Sequence, residues 1–281
     1  MEKGGGVWAH RGSALRKRGL FSDINIRVES SVFQCHKIVL ASASEFFEIL
    51  LQKEGLKTGE VILQDTTPQV FEIFLDFIYT KDKCPLKQTK PYVLLSLLKC
   101  ANMWLACEVQ QVCESTLLGS SMAPKEWIQL YAVSFLLDNK LLMSHAIQLL
   151  QRQNHFDCPE FMELELHCFV EYFSCTKDLD QLKRFTMLDM WLQKNIPKEH
   201  RVLHMNNGNI VRKRSPSSTT TDHDKITVLL DSIDFERMSL DDFYKGPAKS
   251  NLLTESAKIE LMYKMAKRGH PHNRCYRNQH F

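Results

Sequence analysis

The feature that most constrains this chain is a switch of hydrophobic period within its first eighty residues. Ile24, Ile26 and Val28 alternate with Asn25, Arg27 and Glu29, the period-two pattern of a strand with one buried face. Ser30 and Ser31 make the break, and Val32, Phe33 and Cys35 carry a second short strand. The period then becomes helical, in Ile38, Val39 and Ala41 and again in Phe46, Phe47 and Leu50. A third short strand, Val61 to Leu63, precedes Thr67 and Pro68, an N-cap residue with proline at the first helical position. Phe71, Phe74, Leu75 and Ile78 follow at helical spacing.

From Pro91 onward every pattern is helical. Val93, Leu94, Leu97, Leu98 and Ala101 make one amphipathic helix, and Val109, Val112 and Leu117 another before Gly119 and Ser120. A second series starts at Pro124, with Trp127, Leu130, Tyr131 and Leu137, and continues through Leu141, Leu142, His145, Ala146 and Leu149. Phe161, Leu164, Phe169 and Phe173 span one or two more helices, and Phe185, Leu188, Trp191 and Leu192 form the next. Short antiparallel helices bury such stripes against one another. Residues 200–224 interrupt the series with Asn, Gly, Ser, Thr and charge, too little apolar surface to order a segment. Helical spacing resumes at Ile226, Leu229, Leu230 and Ile233, then at Ser239, with Asp242 three residues on as an N-cap arrangement. The last helix, from about Glu255, ends in Lys267, Arg268 and Gly269, cations at the negative end of the dipole and glycine past it.

Composition narrows the function. With 281 residues and 44% hydrophobic content, the chain can fill one large core or two ordinary ones. Its apolar runs are broken well before the roughly 18 residues of a membrane span, and its N-terminus has no apolar secretory region. Nine cysteines are scattered without a C-x-x-C pair. Cys100, Cys107, Cys113 and Cys168 fall in apolar helical stretches, as free buried thiols do, which points to a reducing compartment, cytoplasm or nucleus. The net charge of +3 does not argue for nucleic acid. The basic clusters (Arg11 with Arg16 to Arg18, Arg212 to Arg214, and Lys264 to Arg277) come without a helix-turn-helix, zinc-finger or RNA-recognition motif.

The residues of FSDINI around Asp23, the CHK that opens a helix, the SxxFF of Ser44 to Phe47 and FIYT at 77–80 occur in the order of a BTB (POZ) domain. Residues 21–119 resemble that family, which implies an α+β fold, a small mixed sheet capped by helices, serving as a noncatalytic interaction module that usually dimerises. Residues 120–269 resemble the BACK domain that follows BTB in the Kelch-like proteins, on helix order, Trp127, Leu130 and MLDMWLQKN at 187–195. That implies an all-α domain of helical hairpins, with 200–224 an insertion and 270–281 a basic tail. In the family a helix in the place of residues 1–20 crosses to a partner chain. Here that segment is basic, bounded by Gly12 and Gly19, and a poor helix. No repeat of about 40 to 50 residues marks a Kelch propeller.

The resemblance assigns candidate sites. Asp23 and Lys37 match facing charges of the dimer groove, where they serve either as a specificity pocket or to fix strand register. Recruitment of the third cullin by the family uses an apolar residue, any residue and a glutamate, and the aligned positions here are Leu56, Lys57 and Thr58. The glutamate is missing. Leu51 and Tyr79 belong to the same surface, as groove anchors or as core. Arg212, Lys213, Arg214 and Ser215 suit an import signal, a phosphorylation site or a solvated linker. His270, His272, Cys275 and His280 are zinc-ligand types at a spacing that fits no closed site. With no catalytic motif present, no cofactor and no metal are expected. The expected function is a noncatalytic scaffold, a dimeric adaptor for a cullin-RING ubiquitin ligase holding an unnamed client. Its rivals are a nuclear co-regulator of transcription, or a modulator that heterodimerises with full-length Kelch-like proteins.

Overall fold

The structure is a computed structural model that describes residues 6–55, 59–197, 205–206, 209–210 and 220–269. The chain divides after Arg152 into two compact units. In the first, helix α1 (Gly6–Lys17) leads to strands β1 (Ile24–Val28) and β2 (Ser31–Cys35). Helices α2 (Lys37–Ala43) and α3 (Glu45–Leu50) come next, then strand β3 (Glu60–Leu63). The unit ends with α4 (Pro68–Thr80), the short α5 (Cys84–Lys87), α6 (Pro91–Met103), α7 (Cys107–Leu118), α8 (Pro124–Leu136) and α9 (Lys140–Gln153).

The sheet order is β2-β1-β3, with β1 antiparallel to β2 and parallel to β3. Connection length explains the mixture, because a tight turn joins antiparallel neighbours and a parallel one needs a crossover, here α2 and α3. The inward row Ile24, Ile26 and Val28 continues into Val61 and Leu63. The turn falls one residue earlier than the serine pair suggests. Val28 is opposite Ser31, and Glu29 takes a φ of 50°, so Glu29 and Ser30 alone reverse the chain, as two-residue hairpins require a left-handed residue.

Helix α2 also departs from its pattern. The expected stripe of Ile38, Val39 and Ala41 does not face inward. Leu40 is the buried residue and Ile38 is 75% exposed. A helix of seven residues is too short for its own periodicity to choose its facing, and the capping of its first N–H by Asp23 fixes its entry instead. Behind it lies an aromatic core of Phe47, Phe71, Phe74 and Trp104, with Phe74 and Trp104 edge to face at 4.9 Å and Phe47 and Trp104 at 5.6 Å. Ser44 explains the SxxFF pattern. Its hydroxyl donates to the Trp104 carbonyl and accepts from the Phe47 N–H at 3.1 Å, capping α3 and tying it to the end of α6. Thr67 caps α4 as expected, accepting from Val70 at 3.4 Å.

Helices α8 and α9 belong to this first compact unit, although the family boundary was expected after Gly119. Helix α8 packs on α6, and Asn139 donates to Glu114 of α7 at 2.8 Å.

The second unit is helical. It comprises a 3-10 turn (Pro159–Glu163), α10 (Leu166–Ser174), α11 (Gln181–Asn195), α12 (Thr220–Asp231), a 3-10 turn (Phe235–Arg237), α13 (Leu240–Lys245) and α14 (Glu255–Gly269). Helix α12 begins inside the expected insertion, where threonine and aspartate suit a helix start. Earlier in it, Met205–Asn206 pairs with Asn209–Ile210. The core is centred on Trp191, stacked on Phe169 at 4.5 Å and 3°, its indole N–H donating to the Leu164 carbonyl at 2.9 Å. Ser239 caps α13, accepting from the Asp242 N–H at 3.1 Å.

Arg184 of α11 is the most deeply buried charge among the unit's described residues. Among the described residues no carboxylate pairs with it. Its guanidinium donates to the Ser232 carbonyl at 2.6 Å, to the Ser232 hydroxyl at 3.0 Å and to the Thr176 hydroxyl at 3.3 Å, and lies 4.8 Å from the centre of the Phe173 ring. Burial lowers its pKa, and the negative end of α12, just before Ser232, offsets part of that penalty. Arg184→Met keeps the apolar stem and strands these acceptors. It is expected to cost about 2 kcal/mol, read as a lower urea midpoint for the second unit. An unchanged midpoint would mean that the Ser232 carbonyl finds another donor.

Candidate interaction surface

The first helix forms despite its composition because one side chain anchors it. Helix α1 runs through Gly12, and the poor helix expected there is held by Arg16, which is 6% exposed. Its guanidinium forks onto Glu72, with bonds of 2.7 and 3.2 Å, and reaches Asp76 at 3.0 Å. Glu72 and Asp76 are four residues apart on α4, so both carboxylates share a face. Burial alone would disfavour the guanidinium charge. The bond to Glu72 and the charges of Glu72 and Asp76 outweigh it and hold the pKa above its ordinary value. Lys17 adds a more exposed pair to Asp76 at 3.4 Å.

A second network joins α1 to the β2–α2 corner. Tyr79 lies with its ring centre 5.6 Å from Arg16 Cζ, and its hydroxyl accepts from the His36 backbone N–H at 3.0 Å and lies 2.7 Å from His36 Nδ1. His36 Nε2 is 3.0 Å from the Leu20 carbonyl. A carbonyl only accepts, so Nε2 carries the proton and the Tyr79 hydroxyl donates to Nδ1. Burial pushes Tyr79 up to about 12, against the opposing bond from His36. Gly19, at φ 64°, makes the turn out of α1, and a Cβ there would meet the Gln34 amide oxygen at 1.9 Å. Asp23 closes the corner, its N–H donating to the Cys35 carbonyl at 3.1 Å and its carboxylate accepting from the Lys37 N–H at 2.8 Å.

What this bracing presents to solvent is apolar. Phe21 is 83% exposed at a φ of 63°, a strained conformation for an aromatic residue. Leu20 and Ile38, bracketing the same hydrogen bonds, are exposed as well. Bulky side chains held out on a rigid corner mark an interaction site.

The expected site residues divide three ways. Asp23 and Lys37 meet, but through the backbone N–H of Lys37. Among the described residues they form no carboxylate–ammonium pair. Leu51 and Tyr79 are buried, at 4% and 7% exposure, so both serve the core. Leu56, Lys57 and Thr58, Arg212 to Ser215, and His270, His272, Cys275 and His280 lie outside the described residues. Among the described residues no group of three His, Cys, Asp or Glu side chains is placed to hold a metal ion, and no helix is long and apolar enough to cross a membrane. The sequence reading gives no anchoring role to Arg16, His36 or Trp104, although Arg16 stands in a basic cluster and His36 in the CHK motif. Arg16 sits in a run of basic residues, and only the spacing of Glu72 and Asp76 hinted at a buried partner.

The BTB/POZ domain family model matches residues 13–121, from within α1 to just past α7. Residues 13–121 are a BTB/POZ domain. This BTB domain has similar curated relatives. Kelch-like protein 40a of Danio rerio is 26% identical over 164 residues, covering 57% of this chain and 23% of that protein. BTB/POZ domain-containing protein 9 of Homo sapiens is 33% identical over 87 residues, covering 30% of this chain and 14% of that one. Hypermethylated in cancer 2 protein of Mus musculus is 33% identical over 102 residues, covering 36% and 16%. The chain thus spans under a quarter of the length of these relatives. Among solved structures, the BTB domain of zebrafish PATZ1 is 29% identical, with 40% of this chain and 89% of that one covered at a TM-score of 0.34.

Replacing Tyr79 by Phe removes the hydroxyl from both His36 contacts and is expected to destabilise the BTB domain by about 1–2 kcal/mol at neutral pH. Because the folded pKa is raised, the contribution of Tyr79 is complete below pH 10 and is lost as pH rises toward about 12. Urea midpoints of the two proteins should therefore converge over that interval, and a constant difference would contradict the assignment.

Proposed function

We propose that this protein is a noncatalytic, dimeric adaptor of a cullin-RING ubiquitin ligase, with residues 120–269 a BACK domain carrying an insertion near 200–224 and a basic tail after it. The observation that carries this reading is the extent of the similarity to Kelch-like protein 40a. The 164 aligned residues exceed the 121 available up to the end of the BTB domain, so the likeness runs on into the helices beyond it. A BTB domain alone serves many assemblies. The helices that follow favour the Kelch-like arrangement, in which BTB and the first BACK helices hold the cullin and another surface holds a client, so that transfer is favoured by effective concentration.

Two surfaces are assigned. A second copy covers Leu20, Phe21 and Ile38. The cullin meets the segment from α3 through Thr58, where Ile49 is 51% exposed. Leu56 is its apolar plug, and the absence of the family's glutamate makes the contact weaker than in relatives. Leu51 supports this surface from below, whereas Tyr79, which the resemblance puts on the same surface, braces the dimer corner together with Asp23. Arg212 to Ser215 would serve nuclear import or its control by phosphate, consistent with residence in cytoplasm and nucleus.

The test is capture of the N-terminal domain of the third cullin by the full chain, with Ile49→Asp alongside Phe21→Asp. Because both positions are exposed, both variants should fold. Ile49→Asp is expected to reduce capture at least tenfold without changing the mass from light scattering, and Phe21→Asp to convert dimer to monomer. No capture by the unaltered chain would overturn the adaptor reading in favour of a co-regulator. Full capture by Ile49→Asp would overturn the assigned surface.

A further inference from the structure

Helix α14 has two apolar faces. Ala257, Leu261 and Met265 are buried against the unit, whereas Ile259, Met262 and Tyr263 stand outward at 67%, 43% and 69% exposure, and exposed Ala266 extends the row. These four positions follow the i, i+3, i+4, i+7 rule of one helical face. A row of exposed apolar side chains along one helix face marks an interaction surface.

The charges beside the row indicate what covers it. Glu260 and Lys267 lie seven residues apart on the same flank, since seven residues are nearly two full turns. Two copies of α14 laid antiparallel would set Glu260 of each beside Lys267 of the other, twice by symmetry, with Tyr263 next to its own copy near the axis. A parallel pair, whose two-fold axis runs along the helices, would carry this flank of the two copies to opposite sides and leave Glu260 and Lys267 without these partners. The pairing is thus self-complementary in only one direction. Glu260 already pairs with Lys264 within its helix at 3.0 Å, an exposed contact that leaves its outer lone pairs open.

We infer that the outer face of α14 is a second self-association surface, formed by antiparallel pairing of Ile259, Met262 and Tyr263 with the same residues of another copy. It is distinct from the α1 corner and does not rest on the cullin reading. One helix pair buries less than the ~1,200 Å² of a stable interface, so the pairing is weak and concentration-dependent.

The experiment is disulfide trapping of the full chain with Tyr263→Cys, using diamide as oxidant and the unaltered chain as the control for native thiols. The expected result is a cross-linked dimer whose yield rises with protein concentration. Ser256→Cys should give none, because antiparallel copies place it roughly 20 Å from itself. In the Tyr263→Cys background, Glu260→Lys is expected to cut the yield roughly tenfold, and adding Lys267→Glu to restore it. Cross-linking through Ser256→Cys would overturn the antiparallel assignment. Failure of Tyr263→Cys to cross-link at any concentration, with circular dichroism unchanged, would give the face to a different partner and overturn the proposal. Neither result touches cullin capture, which is read separately.

Discussion

The ion-paired fork of Arg16 on Glu72 and Asp76 is the interaction on which the rest of the first unit's surface depends. Without it, a basic helix containing a glycine has little to hold it, since isolated helices of this length are marginal in water. With it, α1 lies against α4, the turn at Gly19 is fixed over Gln34, and Leu20 reaches His36. A buried charge network is rarely chosen for stability alone, because desolvation offsets most of its attraction. Here its consequence is positional, in that it holds Phe21 and Ile38 outward on a corner that cannot relax inward.

That corner is rigid because the core behind it is. Trp104 contacts Phe47, Phe71 and Phe74, and Ser44 couples the start of α3 to the end of α6 through the Trp104 carbonyl. Burial also silences thiols of this unit. Cys35 and Cys113 are pushed up to about 12, chiefly by desolvation, which makes them inert packing residues. The second unit repeats this design with Trp191 on Phe169, and with Arg184 in the joining role that Arg16 has in the first.

Much of this was legible in residue order. The alternation of Ile24, Ile26 and Val28, the Thr67–Pro68 start, the helix of Val93 to Ala101 and the Ser239 cap all appear where local rules put them, because in each the side chain's partner lies within a few positions. What was not legible depended on distant partners. The facing of α2 is set by Asp23, fourteen positions before Lys37, and its short periodic run could not reveal that Ile38 turns outward. Tyr79 reads in sequence as either a groove anchor or core, and its place as a buried hydrogen-bond hub was not legible because its partners His36 and Arg16 are 43 and 63 positions away. Arg16 was hidden for the same reason, in a cluster that reads as solvated charge.

The central claim is that the chain acts by contact, through the corner that Arg16 and Tyr79 hold in place. Its most direct measurement is amide hydrogen exchange by mass spectrometry on the full chain over rising protein concentration, with the mass followed in parallel by light scattering. Peptides covering residues 18–25 and 36–43 are expected to gain protection together as the dimer forms, while the Trp104 core, already protected, stays unchanged. Doubling of the mass with no gain in those two segments, or with gains only elsewhere, would contradict the account.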